Sequence, residues 1–372
     1  MPPNEDDGRD FQRILRFSMR PKNNIADRKS HRSDGNGRQS RTLEMQKAEP
    51  VRVEFFLVPG FSLLALACAV DALRAANLVL GRRAYDWRLT ADPRDLGASP
   101  PGGSVPSSSH IRLPASRLAG AAAPAAAPDL IAVVGGERSH SYESAALGAS
   151  LTRAAGRGAR IGSISDGAFP VASAGLFDGH RSTIHWKCLD AYRERFPGLD
   201  IRTSIFEIDR NRFSCAGGTT SLDLMLTFVM EAHGADAASQ VAENYVHDRI
   251  REAAQEQHVT AAIRMAGRNR HLAEAILLME RHLEDPLSVD RIADAVALSA
   301  RQLTRLFRAR LHRSPGQFYL ELRIDRAASL LRQTGMSVSE IAVACGFQSA
   351  SHLGRHLKRR HGTTPGQWRR GG

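Results

Sequence analysis

Several things are scarce in this chain. There are four cysteines in 372 residues, Cys68, Cys188, Cys215 and Cys345. None stands at a zinc-like spacing, so neither a disulfide framework nor a Cys-rich metal module is on offer, and a reduced, cytoplasmic setting fits. Long apolar runs are missing too. The stretch from Phe55 to Val70 comes nearest, but Pro59 and Gly60 interrupt it, and no run reaches the ~18 residues a membrane span needs. The amino terminus has no apolar core behind its charges, so it does not read as a secretory signal. No membrane partner, metal or cofactor is expected.

What is present is charge, unevenly placed. The net charge is +12. Residues 1–48 carry 11 Lys/Arg against 7 Asp/Glu, residues 49–266 carry 22 against 23, and residues 267–372 carry 18 against 9. A neutral body followed by a basic end suits a sensing or catalytic domain joined to a polyanion-binding module; basic ends that merely solubilise are the plainer alternative.

Residues 1–48 are polar and Ser/Asn/Gly/Arg-rich and can bury little, so a disordered basic tail is expected. An alternative is that translation begins at Met45. From Val51 the pattern changes. VRVEFFLVPGF reads as a buried strand, Ser62 to Leu80 as a helix, and YDWRLTAD from Tyr85 as a second strand. Asp92–Ser109 and the Ala/Pro stretch Ala119–Pro128 read as loop and linker. DLIAVVGG is a fully buried strand; a helix spans about Ser144 to Gly156, and Ala159–Phe169 is a strand running into a helix. RSTIHW (Arg181–Trp186) is a short strand, Lys187–Arg195 a helix, and Ile201–Gly218 a hairpin turning at Asp209–Asn211. Apolar strands alternating with helices imply a parallel sheet covered on both faces, with ligands at the strands' carboxyl ends. The expected division is a body at 49–252, a linker at 253–270 and a helical domain at 271–372.

That last domain contains a repeat. Ser288-Val289 and Ile292-Ala293 match Ser337-Val338 and Ile341-Ala342 at an offset of 49; Leu303, Arg305, Arg310 and Pro315-Gly316-Gln317-Phe318 match Leu353, Arg355, Arg360 and Pro365-Gly366-Gln367-Trp368 at an offset of 50. One extra residue therefore sits in the second copy's central turn. Each copy reads as a short helix, a turn and a basic helix. Val289, Ile292, Ala293 and Val296 give one apolar face, and Ser299 caps a helix with Leu303, Leu306, Phe307 and Leu311 inward. The second copy uses Val338, Ile341, Ala342 and Cys345, then Leu353 and Leu357. This is helix-turn-helix arithmetic, in which the second helix offers its first turns to the major groove. A helix from about Gln317 to Gln333 joins the units, and two recognition helices about one DNA turn apart can read successive grooves.

The segment IAVACGFQSASHLGRHLKRRHGTTPGQWR, Ile341–Arg369, resembles the signature of the AraC-type DNA-binding domain, and the resemblance covers His271–Arg370. It implies that Arg301, Thr304 and Arg305 of the first unit, and Ala350, Ser351, His352 and Arg355 of the second, face bases or phosphates. Each arginine's alternative is a solvated helix face. Gly354 and His356 depart from the pattern. His352, His356 and His361 invite a metal reading, but no carboxylate or cysteine set accompanies them.

The body, Val51 to about His247, resembles the glutamine-amidotransferase-like superfamily that includes the ThiJ/PfpI proteins. With the carboxyl-terminal module attached, the chain resembles the GlxA-type subgroup of AraC regulators. FLVPGFSLLALACAVDALRAAN, GAFPVASAGLFDGHRSTIHW and CAGGTTSLDLML carry this resemblance. It implies a flavodoxin-like, amidotransferase-like α/β sandwich ahead of an all-α domain with two helix-turn-helix units. Enzymes of the superfamily place a cysteine at a strand-to-helix turn, two residues before a glycine; here Ser165 stands in that place, before Asp166 and Gly167. A serine needs an adjacent base, no Gly-x-Ser-x-Gly elbow is present, and Asp166 would oppose a developing anion. The turn therefore reads as a ligand site without catalytic residues. Asp71, Ser165, Asp166, His185 and Trp186 are its expected lining. Two carboxylates and an indole suit a cation, and the resemblance implies relatives that sense amino acids or quaternary amines such as carnitine or betaine. The alternatives are a structural cap or pair for Asp71, a buried satisfied His185 and a core Trp186.

The expected function is a cytoplasmic, metabolite-responsive transcription regulator, homodimeric through its body. Its partners are double-stranded promoter or operator DNA and a small-molecule effector, with RNA polymerase a candidate further partner. An amidase- or glyoxalase-type enzyme with a DNA-binding tail is the rival, and an architectural DNA binder with an inert body is a third reading.

Overall fold

The computed structural model describes residues 49–97, 103–118, 127–136, 138–257 and 269–370. The tail at 1–48 with the alternative start at Met45, residues 98–102 of the first loop, 119–126 of the Ala/Pro stretch and 258–268 of the linker lie outside the described residues.

The body opens with β1 (Val51–Leu57), α1 (Leu63–Val79), β2 (Tyr85–Ala91), β3 (Ser104–Pro106), β4 (Arg112–Pro114), β5 (Ser116–Arg117) and β6 (Leu130–Val134). It continues through α2 (Ala145–Gly156), β7 (Arg160–Ile164), α3 (Ala168–Ser173), β8 (Arg181–Ser182), α4 (Leu189–Arg195) and β9 (Asp200–Ile201). The hairpin β10 (Phe206–Asp209) and β11 (Arg212–Cys215), then α5 (Thr220–His233) and α6 (Ala235–Glu243), complete it. Seven strands form one sheet in the order β10-β11-β7-β6-β1-β2-β5. All its pairings are parallel except that of β10 with β11.

The near-continuous apolar run of β1 follows from burial on both faces. Successive side chains of a strand point to opposite sides: Phe55 and Leu57 enter one core, with Leu73 of α1, Met225 of α5 and Val241 of α6. Phe56 and Val58 enter the other, with Leu151 of α2, Phe169 of α3 and Tyr192 of α4. Burying one such phenylalanine contributes about 1.5–3 kcal/mol. Glu54 is the exception within the strand. It is 2% exposed, and its carboxylate accepts from Arg88 Nε at 2.9 Å and Thr90 Oγ1 at 2.9 Å on the neighbouring strand, which compensates the buried charge.

Two segments differ from the sequence pattern. Of RSTIHW only Arg181 and Ser182 pair as strand. The Thr183 amide donates instead to Ser214 Oγ at 2.8 Å, and a 3-10 turn at Trp186–Cys188 begins with His185 Nδ1 accepting from the Lys187 amide. The body also runs past residue 252. The Ile205 amide donates to Gln255 O, the Gln257 amide to Thr203 O, and Glu256 bridges Ser204, so the described part of the expected linker is fastened to the body.

The second domain is helical: α7 (Arg270–Arg281), α8 (Val289–Ala295), α9 (Ala300–Leu311), α10 (Pro315–Gln333), α11 (Val338–Ala344), α12 (Ala350–His361) and α13 (Pro365–Arg370). Ser288, Ser299, Ser314, Ser337 and Ser349 cap α8 to α12 in turn, each side chain accepting a backbone amide of the first turn. Such caps contribute ~1 kcal/mol each. The repeat has two separate cores, one around Ile292, Leu303 and Phe307, the other around Ile341, Leu353 and Leu357. The helix α10 contributes to both: Phe318 packs in the first and Leu331 in the second.

Candidate nucleic-acid interface and ligand pocket

The amphipathic pattern of α9 sends Leu303 and Phe307 inward, both fully buried. On its outer side Arg301, Gln302, Arg305 and Arg308 are exposed and Thr304 is half-buried. Together with Ser299 and Ala300 they line an open groove of about 970 Å³. On α12, Leu353 and Leu357 turn inward, while Ser351 and Arg355 are exposed and Ala350 and His352 half-buried. The sequence-assigned residues of each unit thus gather at the amino-terminal half of one helix, as the pattern requires.

The second unit is the more constrained. Arg360 pairs with Asp325 on α10, Nη2 to Oδ2 at 2.9 Å, and with Glu321 at 3.2 Å. Arg323 of α10 donates to Cys345 O at 2.8 Å and lies 4.4 Å from the centre of the Phe347 ring. The Nε2 atoms of His352 and His356 are 3.0 Å apart, so one ring donates and the other accepts. Burial and the nearby positive groups lower the pKa of His356. Among the described residues no group of three or more His, Cys, Asp or Glu could hold a metal. At Gly354 an added Cβ would meet Pro365 at 3.7 Å, an ordinary contact.

In the body, the strand-to-helix turn after β7 is a 3-10 turn, Ser165–Gly167. Ser165 has φ 55°, a left-handed conformation that a non-glycine residue adopts only when its surroundings hold it there. What holds it is close packing: a Cβ on Gly167 would fall 2.0 Å from Val133 O, and one on Gly217 would fall 2.6 Å from Ser165 Cβ. The bend at Ser165 is therefore fixed by its neighbours. Behind it, Cys215 is fully buried, its sulfur 3.5 Å from Ser221 Oγ, and burial raises its pKa.

Beside the turn lies the buried Cys188 thiol, with the Gln333 side chain near it; burial first, and then the nearby Asp166 charge, push that thiol well above its usual range. The rings of His185 and Trp186 lie 5.7 Å apart and tilted by 32°. Trp186 is 45% exposed rather than part of the core, and the Lys187 ammonium stands 5.5 Å from its ring centre. Asp71 has different company. It pairs with Arg74 at 2.9 Å, and its carbonyl accepts from Tyr245 Oη. Asp166, His185 and Trp186 belong to the turn and the segment that Cys188 links to it, whereas Asp71 is paired within its own helix.

Sequence reasoning did not single out Lys187, Cys188 or Gln257. The Gln257 side chain takes a hydrogen bond from the Trp186 amide at 3.0 Å and lies within 3.1 Å of Thr183 Oγ1, 3.0 Å of Ile184 O and 2.8 Å of Ser204 O. Nor did it find the buried Asp223, which accepts from His247 Nε2 at 2.9 Å and Arg251 Nε at 2.9 Å. These contacts join residues distant in sequence, and no local pattern announces them.

The sequence profile of the DJ-1/PfpI family matches residues 51–231, and that of a helix-turn-helix domain matches residues 292–371. The HTH-type transcriptional regulator GbdR of Pseudomonas aeruginosa is 36% identical over 330 residues, 88% of this chain and 86% of its own length. CdhR of the same species, also an HTH-type transcriptional regulator, is 40% identical over 84% of this chain and 90% of its own. GlxA of Rhizobium meliloti, a third HTH-type transcriptional regulator, is 36% identical over 86% and 95%. The chain belongs to this family of AraC-type, GlxA-like transcription regulators, which join a DJ-1/PfpI body to a DNA-binding helix-turn-helix domain.

Proposed function

We propose that the body of this DNA-binding regulator receives a small cationic metabolite, an amino acid or a quaternary amine, and does not turn it over. The observation that carries the reading is the Lys187 ammonium beside the Trp186 ring. That indole face already accepts a cation from the protein itself, and a bound ammonium can take its place by the same attraction. The Asp166 carboxylate at the neighbouring turn supplies the counter-charge. Two features favour binding over chemistry. Ser165 occupies the apex of the turn, and burial raises the pKa of Cys188 and Cys215, which disfavours the thiolate that a nucleophile needs. The relatives named above are HTH-type transcriptional regulators.

For DNA, we assign the contacts to Arg301, Thr304 and Arg305 in one groove and to Ala350, Ser351, His352 and Arg355 in the next. Arg305 and Arg355, one of the matched pairs of the repeat, are both exposed.

The test is a thermal-shift titration of the full chain with glycine betaine, carnitine and arginine, since a ligand that binds only the native state raises its Tm. Asp166→Asn should weaken the active amine by about 1.5–3 kcal/mol. Ser165→Ala should leave that affinity unchanged. An unchanged dose response in Asp166→Asn removes the pocket assignment, and amide hydrolysis, or conversion of a glyoxal to its hydroxy acid, that is lost in Ser165→Ala restores the enzyme reading.

A further inference from the structure

The described residues from Glu49 onward form one unit, and within it the body and the helical domain are in contact. The helix α10, which joins the two helix-turn-helix units, lies against the segment that follows β8. Arg326 Nε is 3.1 Å from Asp190 Oδ2, Ser329 Oγ donates to Lys187 O at 2.8 Å, and Gln333 meets the Cys188 thiol. Arg326, Ser329 and Gln333 are spaced by three and four residues, one face of a helix. A cleft of about 640 Å³ runs along the same seam, between His140, Glu194 and Arg195 of the body and Arg332 to Met336.

The same short segment is gripped from a second side. Gln257, at the end of the body, holds Thr183, Ile184 and the Trp186 amide. Thus residues 183–190 touch the exit of the body, the helix between the DNA-binding units and, through Cys188, the Asp166 turn.

We propose that residues 183–190 are the coupling element of the regulator: docking of α10 on them is the resting state, and a cation taken up at Asp166 and Trp186 releases it. The inference rests on the pocket reading above. Its direction comes from shared groups. A cation on the Trp186 face displaces the Lys187 side chain, and the Lys187 carbonyl is the group that receives Ser329; a cation drawn to Asp166 settles beside Cys188, the next residue of the same segment. Each move loosens a group that holds α10. Because α10 packs in the cores of both units, freeing it frees their relative placement. A ligand shifts such an equilibrium only by its differential affinity for the two states, and these shared groups supply the difference.

The experiment uses the full chain and requires no known effector. Operator affinity and hydrogen–deuterium exchange over 183–190 and 322–333 are measured for the parent, Asp190→Arg, Arg326→Asp and the double variant in which the charges are exchanged. Either reversal alone should raise exchange in both segments together and tighten operator binding about ten-fold, within the usual range of allosteric coupling. The exchanged pair should restore both. Ser329→Ala, a milder change, should move both readings in the same direction by less and guards against misfolding of the reversals. Single reversals that bind operator like the parent or more weakly, or exchange that rises in one segment alone, overturn the proposal. If the reversals behave as stated but no amine shifts the Tm of the parent, the coupling stands and the pocket reading falls. If an amine shifts the Tm but the reversals leave operator affinity unchanged, the coupling falls and the pocket reading stands.

Discussion

The two helix-turn-helix units carry one pattern in two settings. In the first, the turn between helices places Ala297 at φ 55°; in the second, the matching position is Gly346 at φ 68°. The backbone bend is the same, but its surroundings are not. A Cβ on Gly346 would stand 2.6 Å from Pro286 Cγ and 2.8 Å from Leu283 O, because the second turn packs against the segment ahead of the first unit. The second turn is also held by Arg323 from α10, and Arg360 of the second recognition helix is pinned to α10. The first recognition helix instead presents Arg301, Arg305 and Arg308 on an open groove. Duplication thus preserved what each unit needs to fold, the caps and inward leucines, while the neighbours decided how freely each can move.

The largest expected effects probe what the units share. Leu303 and Leu353 are matched and both 0% exposed, so Leu303→Ala and Leu353→Ala should each cost about 2–5 kcal/mol in denaturant unfolding. A difference larger than that spread would show that the two cores are not equivalent. The next pair probes what differs. Gly346→Ala should cost about 1–3 kcal/mol, because strain and overpacking act together. Ala297→Gly, which relieves a left-handed alanine, should change stability by less than ~1 kcal/mol. Equal effects at the two turns would show that their surroundings do not distinguish them.

A smaller effect, read as a pH dependence, belongs to the first unit alone. Burial pushes the Glu280 carboxyl on α7 up to about 7 from the usual 4.5. Between those values the folded state binds more protons than the unfolded one, so stability falls as pH rises from 4.5 to 7 and levels off above. Glu280→Gln should flatten that slope and raise the Tm at pH 8; an unchanged profile would show that Glu280 stays charged in the fold.

Much of this was legible in the sequence, for identifiable reasons. The strands β1 and β6 announce a parallel sheet because burial on both faces forces unbroken apolar runs. The repeat announces its units because caps, inward leucines and matched arginines recur in register, and the extra residue of the second turn, Gln348, lies between Phe347 and the Ser349 cap. The Ser165 turn, two residues before Gly167, was pointed to by the resemblance to the ThiJ/PfpI superfamily. The strand at Arg181–Trp186 was overestimated because Ser214, from another strand, takes the Thr183 amide. Residues 253–257 read as linker because their attachment to Thr203, Ser204 and Ile205 leaves no periodic trace. Asp71 looked like a pocket acid by its place on the first helix; Arg74, one turn on, pairs with it. The seam between Asp190 and Arg326 joins residues more than a hundred positions apart, and only the folded chain brings it into view.

Regulation by this protein depends first on how the two units touch DNA. The measurement is quantitative footprinting of operator DNA with the parent, Arg305→Ala and Arg355→Ala at several salt concentrations. Each substitution should weaken specific binding by about 1–3 kcal/mol and thin the protection over its own half of the site. The halves should be centred about one helical turn, 10–10.5 base pairs, apart. Log affinity should fall linearly with log salt as phosphate contacts release counterions. Two variants whose footprints and affinities match the parent's would contradict the assignment of both recognition faces.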